Sequence, residues 1–177
     1  MKKKVSDNLI DTLNMGLALE EARKAFAKGE VPIGVVIVNE NNTVIATGHN
    51  DREQTQDATR HAEIIAIQQA SKHNKSWRLD NCTIYITLEP CPMCSGAIIQ
   101  SRIKRVVFGA FDPKGGTAGS VTNLLTNKSF NHNPELVTGV REVECGAIMT
   151  DFFTMIRERN KISREIEREN KNKKDGN

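Results

Sequence analysis

The stretch Thr83 to Gly109, TIYITLEPCPMCSGAIIQSRIKRVVFG, constrains the fold of this chain more than any other. Its ends, TIYITL and RVVFG, are short runs rich in β-branched residues, a composition that suits a buried, pleated surface. Between them CPMCSGAIIQ reads as a short helix, with Pro90 and Pro92 suited to its first turn. Upstream, Met15, Leu19, Ala22 and Phe26 fall at helical spacing, Leu13 and Leu17 widen that stripe, and Gly29 can end the helix. IGVVIV (33–38) and TVIATGH (43–49) read as strands joined by the turn-forming NENN, hence an antiparallel hairpin. A second helix is expected from about Thr59 through HAEIIAIQQASK, with isoleucines and alanines on more than one side, as if covered on both. Downstream come the loop AFDPKGGTAGS, a weak helix at VTNLL, a strand at ELVTGV and a last helix from about Glu144. Strand, helix, strand, helix, strand implies an α/β fold, one sheet with helices on both faces. Ligand sites in such sheets tend to lie outside the strands' carboxyl ends, and Cys91 and Cys94 follow one of these.

The chain has 177 residues, enough for one domain with a single substantial core. No repeat or composition break divides it early, so residues 1–157 are expected to form the domain and 158–177 a charged C-terminal tail, helical or disordered. The segment from Arg157 onward holds eight Lys/Arg against five Asp/Glu, an excess of +3, equal to the net charge of the whole chain. A solvated face is the ordinary meaning of such a run, and contact with a polyanion the sharper one. With no signal peptide and no apolar run of membrane-spanning length, the expected location is the cytoplasm, with no membrane partner. Thiols stay reduced there, so Cys-x-x-Cys points to metal or redox chemistry rather than a structural disulfide.

Cys91 and Cys94, three apart on a helix, can reach one point, and a helix N-terminus favours their thiolate form. The pair alone is compatible with a dithiol redox site or with half of a structural zinc site. A structural site needs four protein ligands. Cys82 stands at the far end of the preceding strand, roughly 20 Å from Cys91 at strand rise, and Cys145 is isolated. Both read as small buried apolar residues. His49, His73 and His132 read as ordinary core or surface histidines. His61 differs, because it opens the second helix within TRHAEI and Glu63 follows two residues later. Residues two apart diverge by about 200° on a helix, so the two can share a site only at a helix end that faces it. One histidine and two cysteines leave a fourth position for water, the arrangement of a catalytic zinc site. Glu63 then stands as the proton carrier for that water.

HAE followed about thirty residues later by PCPMC resembles the zinc nucleobase and nucleoside deaminases. The segments EVPIGVVIV, GHNDRE, TRHAEI, YITLEPCPMCSGAIIQSRIKRVVFGAFDPKGGTAGS and ECGAIMTDFFTMIR narrow the resemblance to the bacterial tRNA-specific adenosine deaminases, across nearly all of residues 9–157. The resemblance implies a three-layer α/β/α cytidine-deaminase-like fold with a mixed five-stranded sheet, one Zn2+ per subunit, and a homodimer. It also implies hydrolytic conversion of adenosine to inosine at the wobble position of a tRNA anticodon, typically of an arginine tRNA, with the anticodon stem-loop as partner. His61, Cys91 and Cys94 match the zinc ligands and Glu63 the proton shuttle. Asn50 matches a residue bonding the flipped base, Asp112 one that contacts the RNA, and Phe153 an aromatic near the substrate loop. The Ala62 N–H is expected to help hold the developing oxygen. DPKGGTAGS is a candidate RNA surface or a plain connector, and not a P-loop, since no Gly-Lys-Ser/Thr follows. The metal motif reports water activation rather than base identity, so a cytosine, guanine or dCMP deaminase remains the first alternative. A non-catalytic zinc or RNA-binding module and a redox protein follow it.

Overall fold

The computed structural model describes residues 2–175. The elements are α1 (Lys2–Ala27), β1 (Gly34–Val38), β2 (Val44–His49), α2 (Arg52–Thr55), α3 (Ala62–Asn74), β3 (Thr83–Leu88), α4 (Pro92–Gln100), β4 (Arg105–Ala110), β5 (Glu135–Thr138) and α5 (Glu142–Asp175). Within the described residues the strands form a five-stranded sheet in the order β2-β1-β3-β4-β5. β1 is antiparallel to both β2 and β3, whereas β3/β4 and β4/β5 are parallel. The sheet is therefore mixed, and β2, β3, β4 and β5 all point the same way.

Strand alternation sorts the core into two layers. Val35, Ile37, Ile84, Ile86, Val106 and Phe108 face α3 and α4, against Ala62, Ala66, Ala70, Ile98 and Ile99. Val36, Val38, Tyr85 and Val107 face the other side, against Met15, Ala18 and Leu19 of α1 and Cys145 of α5. Strands buried on both faces explain why IGVVIV and TIYITL read as continuous apolar runs rather than alternating ones. The alanine edge of α3 lies close on β2 at Gly48. A Cβ at that position would overlap the Ala62 carbonyl oxygen and stand 3.0 Å from the Ala66 nitrogen.

Several expectations are corrected. The second helix starts at Ala62 rather than Thr59, and α5 starts at Glu142. One side of α3 is open in the single chain: Ile64 and Ile65 are half-buried, and Gln68 and Gln69 are exposed. VTNLL is not helical. The Val121 and Leu124 N–H groups donate to Gly116 and Thr117 carbonyls at 3.0 and 2.9 Å, and Ala118 bridges Asn123, so bonds back to the preceding part of the loop replace the helical ladder. α5 runs unbroken through residue 157 and continues as helix to Asp175.

Candidate metal centre and active-site cleft

The parallel run of strands brings the site together at one end of the sheet. Asn50 follows β2, Cys91 follows β3, Asp112 follows β4, and α3 and α4 present their N-termini there. His61 is the N-cap of α3 and Cys91 the N-cap of α4, both with extended backbone (φ −77°, ψ 151° and φ −75°, ψ 174°). A side chain at this position ordinarily accepts a bond from its own helix. Neither does so here. They turn to each other instead: His61 Nδ1 lies 3.7 Å from Cys91 Sγ and 3.6 Å from Cys94 Sγ. Tetrahedral bonds of about 2.3 Å to sulfur and about 2.0–2.1 Å to nitrogen put ligand atoms about 3.6 Å apart. The three side chains thus already stand at the spacing of one divalent ion, and His61, Cys91 and Cys94 are the His/Cys/Asp/Glu cluster found for a metal among the described residues.

The electrostatics favour a cation. The Cys91 thiol is held down to about 4, chiefly by a hydrogen bond from the Cys94 thiol; burial opposes this and His61 adds to it. Cys94 is pushed well up by that same bond and by burial. His61 is raised above its usual range, first by its bond to the Cys91 thiolate, against burial, with the charges of Glu63 and Cys91 adding. A divalent ion replaces these protons with its own charge.

Glu63 lies in the first turn of α3 and is 2% exposed. Its Oε2 is buried with no hydrogen-bond partner, and burial raises its pKa. A buried carboxylate oxygen without a donor is costly, of the order of 1–3 kcal/mol or more, unless another group meets it there. A water beside the three ligand atoms is the group this geometry fits. The helix-end requirement for His61 and Glu63 is met, since one precedes the first turn and the other lies within it. Asn50 is 5% exposed, and its Oδ1 accepts the Ala62 N–H at 3.0 Å. That bond fixes the start of α3 from β2. The Ala62 N–H, expected to help hold a developing oxygen, meets this acceptor in the single chain.

Above the ligands opens a cleft of about 650 Å3. Asn50, His61, Asp112 and Phe153 all line it, as do Glu30 and Arg157, while Glu63 and Cys94 lie buried. The loop carrying Asp112 is tied down by Glu89, which the sequence did not single out. Glu89 is 2% exposed and sits between β3 and the ligand pair. Its carboxylate accepts the N–H groups of Asp112 (3.0 Å), Ala118 (2.8 Å) and Ser120 (3.0 Å), together with the Ser120 hydroxyl. Burial alone would raise Glu89, but these bonds outweigh it and hold the group below its ordinary value. Gly116 is required beside it, because a Cβ there would overlap that carboxylate. A signal was available in LEPC: an acid between a buried strand and prolines has few chances of solvation, so it must find donors. Asp112 itself accepts the Lys114 N–H at 2.9 Å.

Residues 11–157 match the profile of the MafB19-like deaminases. The chain is 51% identical to the tRNA-specific adenosine deaminase of Bacillus subtilis (strain 168), over 87% of this chain and 95% of that one. It is 43% identical to the tRNA-specific adenosine deaminase of Streptococcus pyogenes serotype M3, over 89% and 92%. A solved structure from work on A-to-I editing by tRNA:A34 deaminases at the wobble position of transfer RNA superposes with a TM-score of 0.74 at 42% identity, covering 77% of this chain and 99% of that one. The sheet order and its two helical layers are those of the cytidine-deaminase-like fold. With this fold, this cluster and these relatives, the chain is an enzyme of the hydrolase class and belongs to the family of tRNA-specific adenosine deaminases.

Proposed function

We propose that this chain deaminates adenosine to inosine at wobble position 34 of a tRNA anticodon, with an arginine tRNA as the first substrate to test. The observation that carries the proposal is the unpartnered Glu63 Oε2, buried beside His61, Cys91 and Cys94 beneath a cleft large enough for a nucleoside. His61, Cys91 and Cys94 would hold one zinc ion per subunit, which would supply activation of a water toward hydroxide near neutral pH. Glu63 Oε2 accepts a proton from the attacking water and delivers it to adenine N1, making C6 more electrophilic. The hydroxide so formed adds to C6, Glu63 moves the proton of the new C6 hydroxyl to the N6 amine, ammonia departs and the 6-oxo base remains. Its raised pKa suits both steps, since a carboxyl poised nearer neutrality gives up a proton as readily as it takes one.

Asn50 holds α3 through Oδ1 and keeps Nδ2 to donate to the flipped base. Asp112 and Phe153, which both line the cleft, receive the flanking RNA, whose bases must leave the stack to reach the floor. The half-buried Ile64 and Ile65 on the open side of α3 support a homodimer, in which a second copy covers that side. No helix among the described residues is long and apolar enough to cross a membrane. We place the enzyme in the cytoplasm beside its substrate. The test is inosine formation on an anticodon stem-loop, run beside cytidine, dCMP and guanine. Turnover of a free base or nucleoside in preference to the stem-loop would sink the assignment.

A further inference from the structure

The cations of the α5 extension are not scattered. Arg157, Lys161, Arg164, Arg168 and Lys171 recur at intervals of four, three, four and three, so they fall within about 80° of arc on one side of the helix. All five are exposed, and none is in an ion pair among the described residues. The row spans roughly 21 Å at 1.5 Å per residue. Acidic residues flank it, and Glu165 borders the shallow groove that Arg157, Lys161, Arg164 and Arg168 line. Arg157 belongs both to this groove and to the wall of the active-site cleft, and its Nη2 donates to Thr154 Oγ1 at 2.8 Å. The stripe therefore starts at the mouth of the cleft and leads away from it, past residue 157, where the match to the deaminase profile ends.

We propose that this stripe is a rail for the phosphates of the RNA stem that carries the target loop. The inference rests on the tRNA substrate proposed above. The charge is of the right sign, no anion lies within the arc between Arg157 and Lys171, and Arg157 joins the stripe to the wall of the cleft that the loop would enter. Such contacts position the RNA without reading its sequence. They add to binding in the ground and transition states alike, so they act on KM rather than kcat.

The test uses the full-length, metal-loaded protein with Lys161→Gln, Arg164→Gln and Arg168→Gln combined, glutamine being a good helix former. A control removes the same charge at the other end of the sheet, through Lys72→Gln, Lys75→Gln and Lys104→Gln. Binding is read by fluorescence anisotropy on an anticodon stem-loop with guanosine in place of the target adenosine, between 50 and 200 mM salt. Each lost phosphate contact lowers the salt slope by about 0.9, so three make wild-type affinity fall about 40-fold more than the variant's across that range. KM for the reactive stem-loop should rise with kcat within about twofold, and the control should behave as wild type. An unchanged slope and KM in the stripe variant, or an equal change in the control, would overturn the rail. Wild-type protein that forms no inosine at all overturns the substrate assignment instead, so the two failures are distinguishable.

Discussion

Glu89→Gln isolates the contribution of one buried charge to the cleft. The carboxylate accepts four donors, two at Oε1 (the Ala118 and Ser120 N–H groups) and two at Oε2 (the Asp112 N–H and the Ser120 hydroxyl). A glutamine of the same shape keeps Ala118 and Ser120 if its oxygen takes the first place, but each bond drops from about 1.5–3 to about 0.5–1.5 kcal/mol. Its amide N–H then confronts the Asp112 N–H, leaving a donor unsatisfied at about 1–3 kcal/mol, while the Ser120 hydroxyl can turn to accept. The total is about 3–5 kcal/mol. With a urea slope of about 1–3 kcal/mol/M, the midpoint should fall by about 1–5 M with the slope preserved. Asp112 and Lys114 hang from the same loop at the cleft wall, so KM for the stem-loop should rise as well. A midpoint shift worth under about 1 kcal/mol, with unchanged KM, would refute the view that Glu89 anchors this loop.

Four further outcomes are expected. Glu63→Ala should retain one metal per chain by elemental analysis and slow turnover about 10²–10⁴-fold, and full activity would remove it from proton transfer. Cys94→Ala should lose metal and activity together, and metal retained at one per chain would mean other ligands. Gly48→Ala forces a Cβ onto the α3 backbone, so thermal unfolding should show about 1–3 kcal/mol of destabilisation and reduced activity as the His61 end shifts. At Glu21, burial raises the pKa, but bonds from Lys24 Nζ (2.6 Å) and His49 Nδ1 (2.8 Å) outweigh it and bring the pKa below the ordinary 4.5. The unfolded chain then binds the proton more readily. The stability Glu21 contributes is full above about pH 4.5 and is lost as pH falls through its folded value. Glu21→Gln should therefore differ from wild type at pH 7 and converge with it in acid; a constant difference would contradict the ion pair.

Much of this was legible because it is local. Strand and helix runs declare themselves through β-branched content and 3.6-residue spacing, and the metal cluster through HAE and PCPMC. What sequence could not supply depends on distant partners. The loop from Asp112 to Leu125 takes its shape from a carboxylate on another element, so VTNLL lost its helix to bonds with Gly116 and Thr117. Nothing nearby in sequence says that Asn50, twelve residues away, accepts the Ala62 N–H. The four-residue α2 has no buried residue to mark it. His61 and Glu63 could be joined only by knowing which helix end faces the sheet's carboxyl edge.

Apart from His61, which serves both, the residues that would hold an ion and those that wall the cleft come from different parts of the chain. The ligands and Glu63 are locked into the opening turns of α3 and α4, against the packed sheet. The walls are drawn largely from the approach to β1, the loop after β4 and the first half of α5. Recognition can therefore drift without disturbing reactivity: new side chains along those walls would retune which nucleobase is accepted, while the hydrolytic engine below stays the same.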